Sequence, residues 1–127
     1  MPGVLIDTSA WIEAIRRDGR QEVASRVQEA LRAGEALFCE LVLVELWNGA
    51  RSQQDQRLLR QLEAELETRS IDAGVWARAK ELARHCRASG LTLPAADLVI
   101  AACAEAHGLE LLHCDGHVDQ LREVSPP

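Results

Sequence analysis

The chain has 127 residues, 47% apolar and 27% charged, which suits one globular domain with its own core and excludes disordered, collagenous and disulfide-stapled classes. Fourteen Lys and Arg against twenty Asp and Glu leave a net charge of -6, so bulk attraction to phosphate backbones is not the organising feature. The aromatic side chains are Trp11, Phe38, Trp47 and Trp76, too few to stack a run of bases.

Val4-Leu5-Ile6 reads as a short buried strand. Thr8 or Ser9 can cap the helix that follows, with Trp11, Ile12 and Ile15 on one face. Val23, Val27, Ala30 and Leu31 recur at helical spacing, and Gly34 ends that helix. Ala36-Leu37-Phe38 is a second strand. A helix from about Leu41 runs past Trp47; Gly49 within that stretch implies close packing or a bend. Another helix carries Leu58, Leu59, Leu62 and Leu66, and Ile71 closes a short strand. Asp72 caps a helix whose stripe is Val75, Ala79, Leu82, Ala83 and Cys86. Pro94 suits the first turn of the next helix. Leu109 to Leu112 is a strand, and a last short helix holds Val118 and Leu121. Residues 1–124 form the expected domain, and residues 125–127 a tail.

The longest clean apolar run, Leu98 to Ala104, is far short of the ~20 residues a membrane span needs. Met1-Pro2-Gly3 carries no basic side chain and Asp7 interrupts the first apolar stretch, unlike an export signal. Cys39, Cys86, Cys103 and Cys114 form no CxxC pair. A cytoplasmic protein with reduced thiols is the expectation.

Strands alternating with helices predict an α/β domain with a mainly parallel sheet and helices on both faces. Ligands then sit beyond the carboxyl ends of the strands. Asp7 directly follows the first strand, and Asp115 lies just past the last. Asp97 and Glu45 are each the single acid in an otherwise apolar helical run. Acids are rarely buried without a partner, and two carboxylates ~4 Å apart repel by about 4 kcal/mol at an effective dielectric of 20. The chain has one Lys, Lys80, and no Arg inside these runs. Protonation or a divalent cation such as Mg²⁺ or Mn²⁺ would relieve the crowding.

Each acid also has a plain structural role open to it. Asp7 can cap a helix, Asp97 can meet a helix dipole, Glu45 can pair with Arg51, and Asp115 can sit in a turn before Gly116. One metal site accounts for all four more economically. Arg16, Arg17 and Arg20, together with Arg51, are candidate phosphate contacts, against the plain reading of a solvated helix face. Trp11 and Trp47 are core residues or partner-facing ones.

The ordered set Asp7-Thr8-Ser9 with Trp11, Glu45 with Gly49 and Arg51, Asp97-Leu98-Val99-Ile100-Ala101-Ala102, and Leu111-Leu112 with Asp115 resembles the PIN-domain family, VapC-type toxins in particular. The likeness covers essentially the whole chain. It implies a parallel sheet between helices, a Mg²⁺ or Mn²⁺ site, and an RNA-cleaving toxin. It also implies a homodimer neutralised by a VapB-like antitoxin. The family's catalytic and metal-binding acids correspond to Asp7, Glu45, Asp97 and Asp115, with Thr8 and Ser9 as supporting hydroxyls. The family often has Thr two residues before the fourth acid, a second acid two residues after it, and Phe next. Here these are His113, His117 and Val118, which makes Asp119 the alternative to Asp115.

A carboxylate-held cation can activate water and stabilise charge on a phosphoryl group, and attack by water predicts 5′-phosphate and 3′-hydroxyl ends. The rival reading is a PIN-like module that binds RNA or protein without cutting. A zinc site of His113, Cys114 and His117 with Cys86 or Cys103 fits no standard spacing. A phospho-acceptor receiver lacks its late Lys, and a dehalogenase-like phosphatase lacks a second Asp at position 9. P-loop and dinucleotide turns are absent.

Overall fold

The structure, a computed structural model, describes residues 3–124; the expected tail at 125–127 lies outside them. The elements in order are β1 (Val4–Ile6), α1 (Thr8–Ile15), α2 (Gln21–Arg32), β2 (Ala36–Cys39), α3 (Glu40–Gly49) and α4 (Gln53–Glu65). There follow β3 (Glu67–Arg69), α5 (Ala73–Ala88), α6 (Ala95–Ala106), β4 (Glu110–Leu112) and α7 (Gly116–Val124). The four strands are all parallel, in the order β3-β2-β1-β4. Leu5 stands opposite Leu37 on one side and Leu111 on the other.

Side chains along a strand alternate between faces. Every residue of β1 and β2 is buried, so the sheet is covered on both faces, as the apolar runs predict. The centre of the core is Trp11 stacked on Phe38, ring centroids 5.1 Å apart. Trp11 is therefore a core residue, and its buried Nε1 finds no acceptor. Trp47 packs against the core edge and donates from Nε1 to Glu63 Oε1 at 2.9 Å. The tryptophan that faces outward is Trp76.

Several boundaries differ from the sequence reading, each for a local reason. The third strand is Glu67–Arg69, not a run closed by Ile71. It is an edge strand, so Glu67 and Thr68 meet water, Arg69 is half-buried, and no apolar pattern shows. Ile71 instead gives its amide to Glu40 Oε1 at 2.8 Å. Leu66 has left the helix for extended backbone. The residue before α1 is Asp7; Thr8 and Ser9 already lie within the helix, and no side chain caps its start. Pro94 precedes α6 rather than opening its first turn. Gly49 ends α3 with open space where a Cβ would stand, so neither close packing nor a bend explains it. Gly34 does end α2, at φ +70°, where Glu35 N–H bonds back to the Ala30 carbonyl. Ser52 and Asp72 cap α4 and α5, accepting from Asp55 and Val75 amides at 3.0 Å.

β1 is the switch point of the sheet. The chain leaves it toward β2 on one side, and β4 returns on its other side. A crevice at the carboxyl ends of β1 and β4 follows from that order. Asp7 directly follows β1 and is tied by its amide to the last residue of β4. No helix among the described residues is long and apolar enough to cross a membrane.

Candidate metal centre

Asp7 is the one buried charged residue among those described, 3% exposed. Its amide donates to the Leu112 carbonyl at 2.9 Å, locking the end of β1 to the end of β4. Its carboxylate does not cap α1; Oδ2 accepts the Ser9 hydroxyl at 2.6 Å. Ser9 Oγ also accepts the Cys114 amide at 3.0 Å. Ser9 thus couples the first acid to the segment that carries Asp115. Thr8 Oγ1 donates to Glu45 Oε1 at 2.7 Å, across from α1 to α3. Among the described residues Glu45 makes no ion pair with Arg51, so the plain pairing role fails.

Asp97 is the third residue of α6, in its first turn. The neighbouring Leu98, Val99 and Ile100 are buried, and their packing sets where the Asp97 carboxylate emerges. Asp115 opens α7: its Oδ1 accepts the His117 amide at 2.9 Å and its carbonyl the Val118 amide. The turn role is real here, and it also aims the carboxylate at Asp97. His117 Nδ1 lies 2.9 Å from Asp97 Oδ2 and 3.3 Å from Asp115 Oδ1. One ligand atom from each of Asp97, Asp115 and His117 falls within 4.8 Å of the others, the single such grouping of His, Cys, Asp and Glu among the described residues.

The Asp97 carboxyl is held above the ordinary 3.8. Burial is the main cause, followed by the negative charges of Asp115 and Asp7, and His117 pulls the other way. Asp7, Asp97 and Asp115 thus share one field. No Lys or Arg pairs with these acids or with Glu45 among the described residues; the nitrogen that reaches Asp97 and Asp115 is His117 Nδ1. Oxygen donors from several elements with one imidazole form a donor set that fits a divalent cation.

The sequence groups Asp7, Glu45, Asp97 and Asp115 as one site; the structure sets Asp97 beside Asp115, with Asp7 near enough to act on the Asp97 carboxyl, while Glu45 lies outside that cluster and bonds to Thr8. Asp119, the alternative, is exposed and lies 3.8 Å from His113 Nε2, outside the cluster. The cysteine-containing zinc site does not form: Cys86 and Cys103 are core thiols, and Cys114 Sγ accepts from Arg20 Nη1. His117 was readable only as a departure from a family pattern. Its signal was the spacing of two from Asp115 at a helix start, where both side chains can turn to the same side.

The arginines do not sit on one helix face. Arg16 and Arg20 flank α1 and α2 as cap residues, with Arg17 in the turn between. Arg16 pairs with Glu13 and Asp18, and Arg20 with Glu22. Arg17 and Arg51 form no ion pair among the described residues. Arg16 and Arg17 border a hollow of about 480 Å³ whose wall includes Glu45, Ile12, Ile15 and Leu59.

The sequence profile of the PIN domain matches residues 4–124. The chain belongs to the PIN-domain family. Within that family it is 31% identical over 126 residues to Ribonuclease VapC11 of Mycobacterium tuberculosis, covering 96% of this chain and 93% of that one. It is 33% identical over 124 residues to Ribonuclease VapC18 of the same organism, covering 94% and 88%. The fold of this PIN domain is similar to that of VapBC2 from Rickettsia felis, solved bound to a DNA fragment from its promoter. The TM-score there is 0.75 at 21% identity, covering 95% of this chain and 92% of that one. Its four-stranded parallel sheet and seven helices among the described residues are thus a PIN-type α/β architecture.

Proposed function

We propose that the protein is a VapC-type toxin, a metal-dependent endoribonuclease that cleaves RNA such as tRNA or rRNA and so inhibits translation. The observation that carries this reading is that Asp97 and Asp115, from separate elements, lie side by side with Asp7 close enough to act on Asp97, and among the described residues no Lys or Arg pairs with them. Relatives named ribonucleases along nearly the whole chain support the RNA substrate.

Asp7, Asp97 and Asp115 would hold Mg²⁺ or Mn²⁺, with Glu45 joining directly or through water. When bound, such a cation lowers the pKa of water and stabilises charge on phosphoryl oxygens. The protein's own part is positioning. Ser9 fixes Asp7 Oδ2 and Thr8 fixes Glu45 Oε1, so neither carboxylate must reorganise as charge develops. Glu45 is the one acid of the four that borders the hollow edged by Arg16 and Arg17, where an RNA phosphate entering the crevice would find positive charge. Arg51, exposed beyond the end of α3, is a further phosphate contact. Hydrolysis in this arrangement leaves 5′-phosphate and 3′-hydroxyl ends.

A VapB-like antitoxin neutralises the activity, and the toxin works as a homodimer in the cytoplasm. Two solvent-facing apolar areas support such partners. One is the hollow with Ile12, and the other is the half-exposed Trp76. The domain comprises residues 1–124.

The test is incubation of the purified, antitoxin-free protein with total RNA and tRNA in Mg²⁺, Mn²⁺ or EDTA, with Asp97→Asn as control. Cleavage that needs both metal and Asp97 and leaves 5′-phosphate ends supports the nuclease. Cleavage persisting in EDTA, or ending in a cyclic phosphate, overturns the mechanism. Metal binding without cleavage of any RNA favours the non-cutting module.

A further inference from the structure

We propose that His117 is itself a metal ligand through Nδ1, beside Asp97 and Asp115, and that this nitrogen makes the site select Mn²⁺ over Mg²⁺. The inference rests on the proposal that these acids hold a divalent cation, and it concerns which cation.

The argument begins with which ring atom faces the acids. Nδ1 points between the two carboxylates, 2.9 Å from Asp97 Oδ2 and 3.3 Å from Asp115 Oδ1. The 2.9 Å contact is a hydrogen bond; donors around one ion with bonds of ~2.1 Å also stand about 3 Å apart, so a cation could take the place of that bond with little movement of the ring. Nε2 makes no hydrogen bond to protein among the described residues, and the ring is 47% exposed. Nδ1 is thus the ring atom turned toward the acids, and an ion seated between the two carboxylates would meet it first.

The segment is also stiffened where a chelate needs it. Asp115 Oδ1 accepts the backbone amide of His117 at 2.9 Å. That bond holds the carboxylate and the imidazole on the same side of the first turn of α7, ahead of any ion. Val118, next in the chain, is buried and anchors the turn. Two donors offered by one rigid turn lose little freedom on binding.

The chemistry of the donors then decides the ion. Mg²⁺ is hard, demands near-ideal octahedral oxygen ligation and keeps its waters. Imidazole nitrogen suits first-row transition ions better. An all-carboxylate crevice has no such bias, so the bias comes from His117. The opposite role for the same ring would be a resident counter-cation, an imidazolium that neutralises Asp97. The two roles make opposite predictions. Removing a ligand weakens Mn²⁺ selectively, whereas removing a counter-cation strengthens every divalent ion alike.

The experiment is calorimetric titration of the full-length protein with MnCl₂ and separately with MgCl₂, for the parent, His117→Asp and His117→Asn. It is paired with pulsed electron paramagnetic resonance of the Mn²⁺-loaded protein. We expect directly coordinated ¹⁴N coupling in the parent that both variants lose. The ratio of Mn²⁺ to Mg²⁺ affinity should fall about tenfold in His117→Asp, which restores an oxygen donor. An unchanged ratio without ¹⁴N coupling, or tighter binding of both ions in His117→Asn, overturns the ligand role and leaves the nuclease reading intact. Failure of the parent to bind Mn²⁺ at all overturns both. Nitrogen coupling in a protein that cuts no RNA supports the ligand while sinking the nuclease.

Discussion

The two halves of the crevice are held in different ways. On the β1–α1 side, Asp7 and Glu45 each receive a hydroxyl, from Ser9 and Thr8. These bonds satisfy the carboxylates and fix their rotamers. On the α6–α7 side, Asp97 and Asp115 face each other across one imidazole, and the Asp97 carboxyl is pushed up by burial and by its acidic neighbours. The first half is organised by hydroxyl donors, whereas in the second Asp97 is hydrogen-bonded to His117 and lies in the field of Asp115 and Asp7. A cation bound there would offset that field.

Asp97→Asn should break this contrast most strongly. It removes a proposed metal donor together with a carboxylate crowded by Asp115 and Asp7. RNA cleavage should fall by about 100-fold or more, measured with the parent alongside under identical metal. Saturating Mn²⁺ at ~100 times its Kd should stabilise the parent by about 2.7 kcal/mol, several degrees in melting temperature, and the variant hardly at all. An equal thermal shift in both would remove Asp97 from the site.

Trp11→Ala attacks the platform beneath the hydroxyl-held half. The residue stacks on Phe38 in the core, so denaturant unfolding should register a loss of about 3–5 kcal/mol. Trp11→Phe keeps an aromatic ring against Phe38 and deletes the buried Nε1 that has no partner among the described residues; it leaves a smaller cavity and should cost less than Trp11→Ala, about 1–2 kcal/mol.

Ser9→Ala cuts the link between the halves, because one hydroxyl serves both Asp7 and the Cys114 amide. We expect about 1–2 kcal/mol of stability lost and activity down by roughly 10-fold. Thr8→Val should have a smaller effect, since it touches Glu45 alone.

The smallest effect is a pH dependence of the metal-free protein. A carboxyl whose pKa is higher folded than unfolded favours the fold most below its unfolded value. That contribution is lost as pH rises through the folded value. Asp97 should therefore cost stability as pH climbs from about 3.8 upward. Asp97→Asn should melt progressively higher than the parent over that window, in chelator. A gap that stays flat with pH would mean Asp97 is not crowded by its neighbours.

The α/β class, the buried first and second strands, the helical stripes and the positions of Asp7 and Asp115 past strand ends follow from local pattern. Apolar runs and periodicity are properties of consecutive residues, and burial on both faces leaves a run rather than an alternation. What pattern misses is where polarity conceals an element. The exposed edge strand Glu67–Arg69 is a strand only because β2 supplies its hydrogen bonds. The four acids could be suspected from their isolation in apolar surroundings, yet no spacing in the chain says that Thr8 reaches Glu45, 37 residues on, or that Ser9 meets the amide of Cys114, 105 residues on. Those contacts exist because parallel pairing brings β4 beside β1 and seats α6 against the same end. His117 is the sharpest case. In the sequence it is the wrong residue at an acidic position, and only the turn that begins α7 aims its Nδ1 between two carboxylates. Sequence alone determined the residue types and the layers, because these depend on local burial. Tertiary structure decided which donors meet, because that depends on strand order.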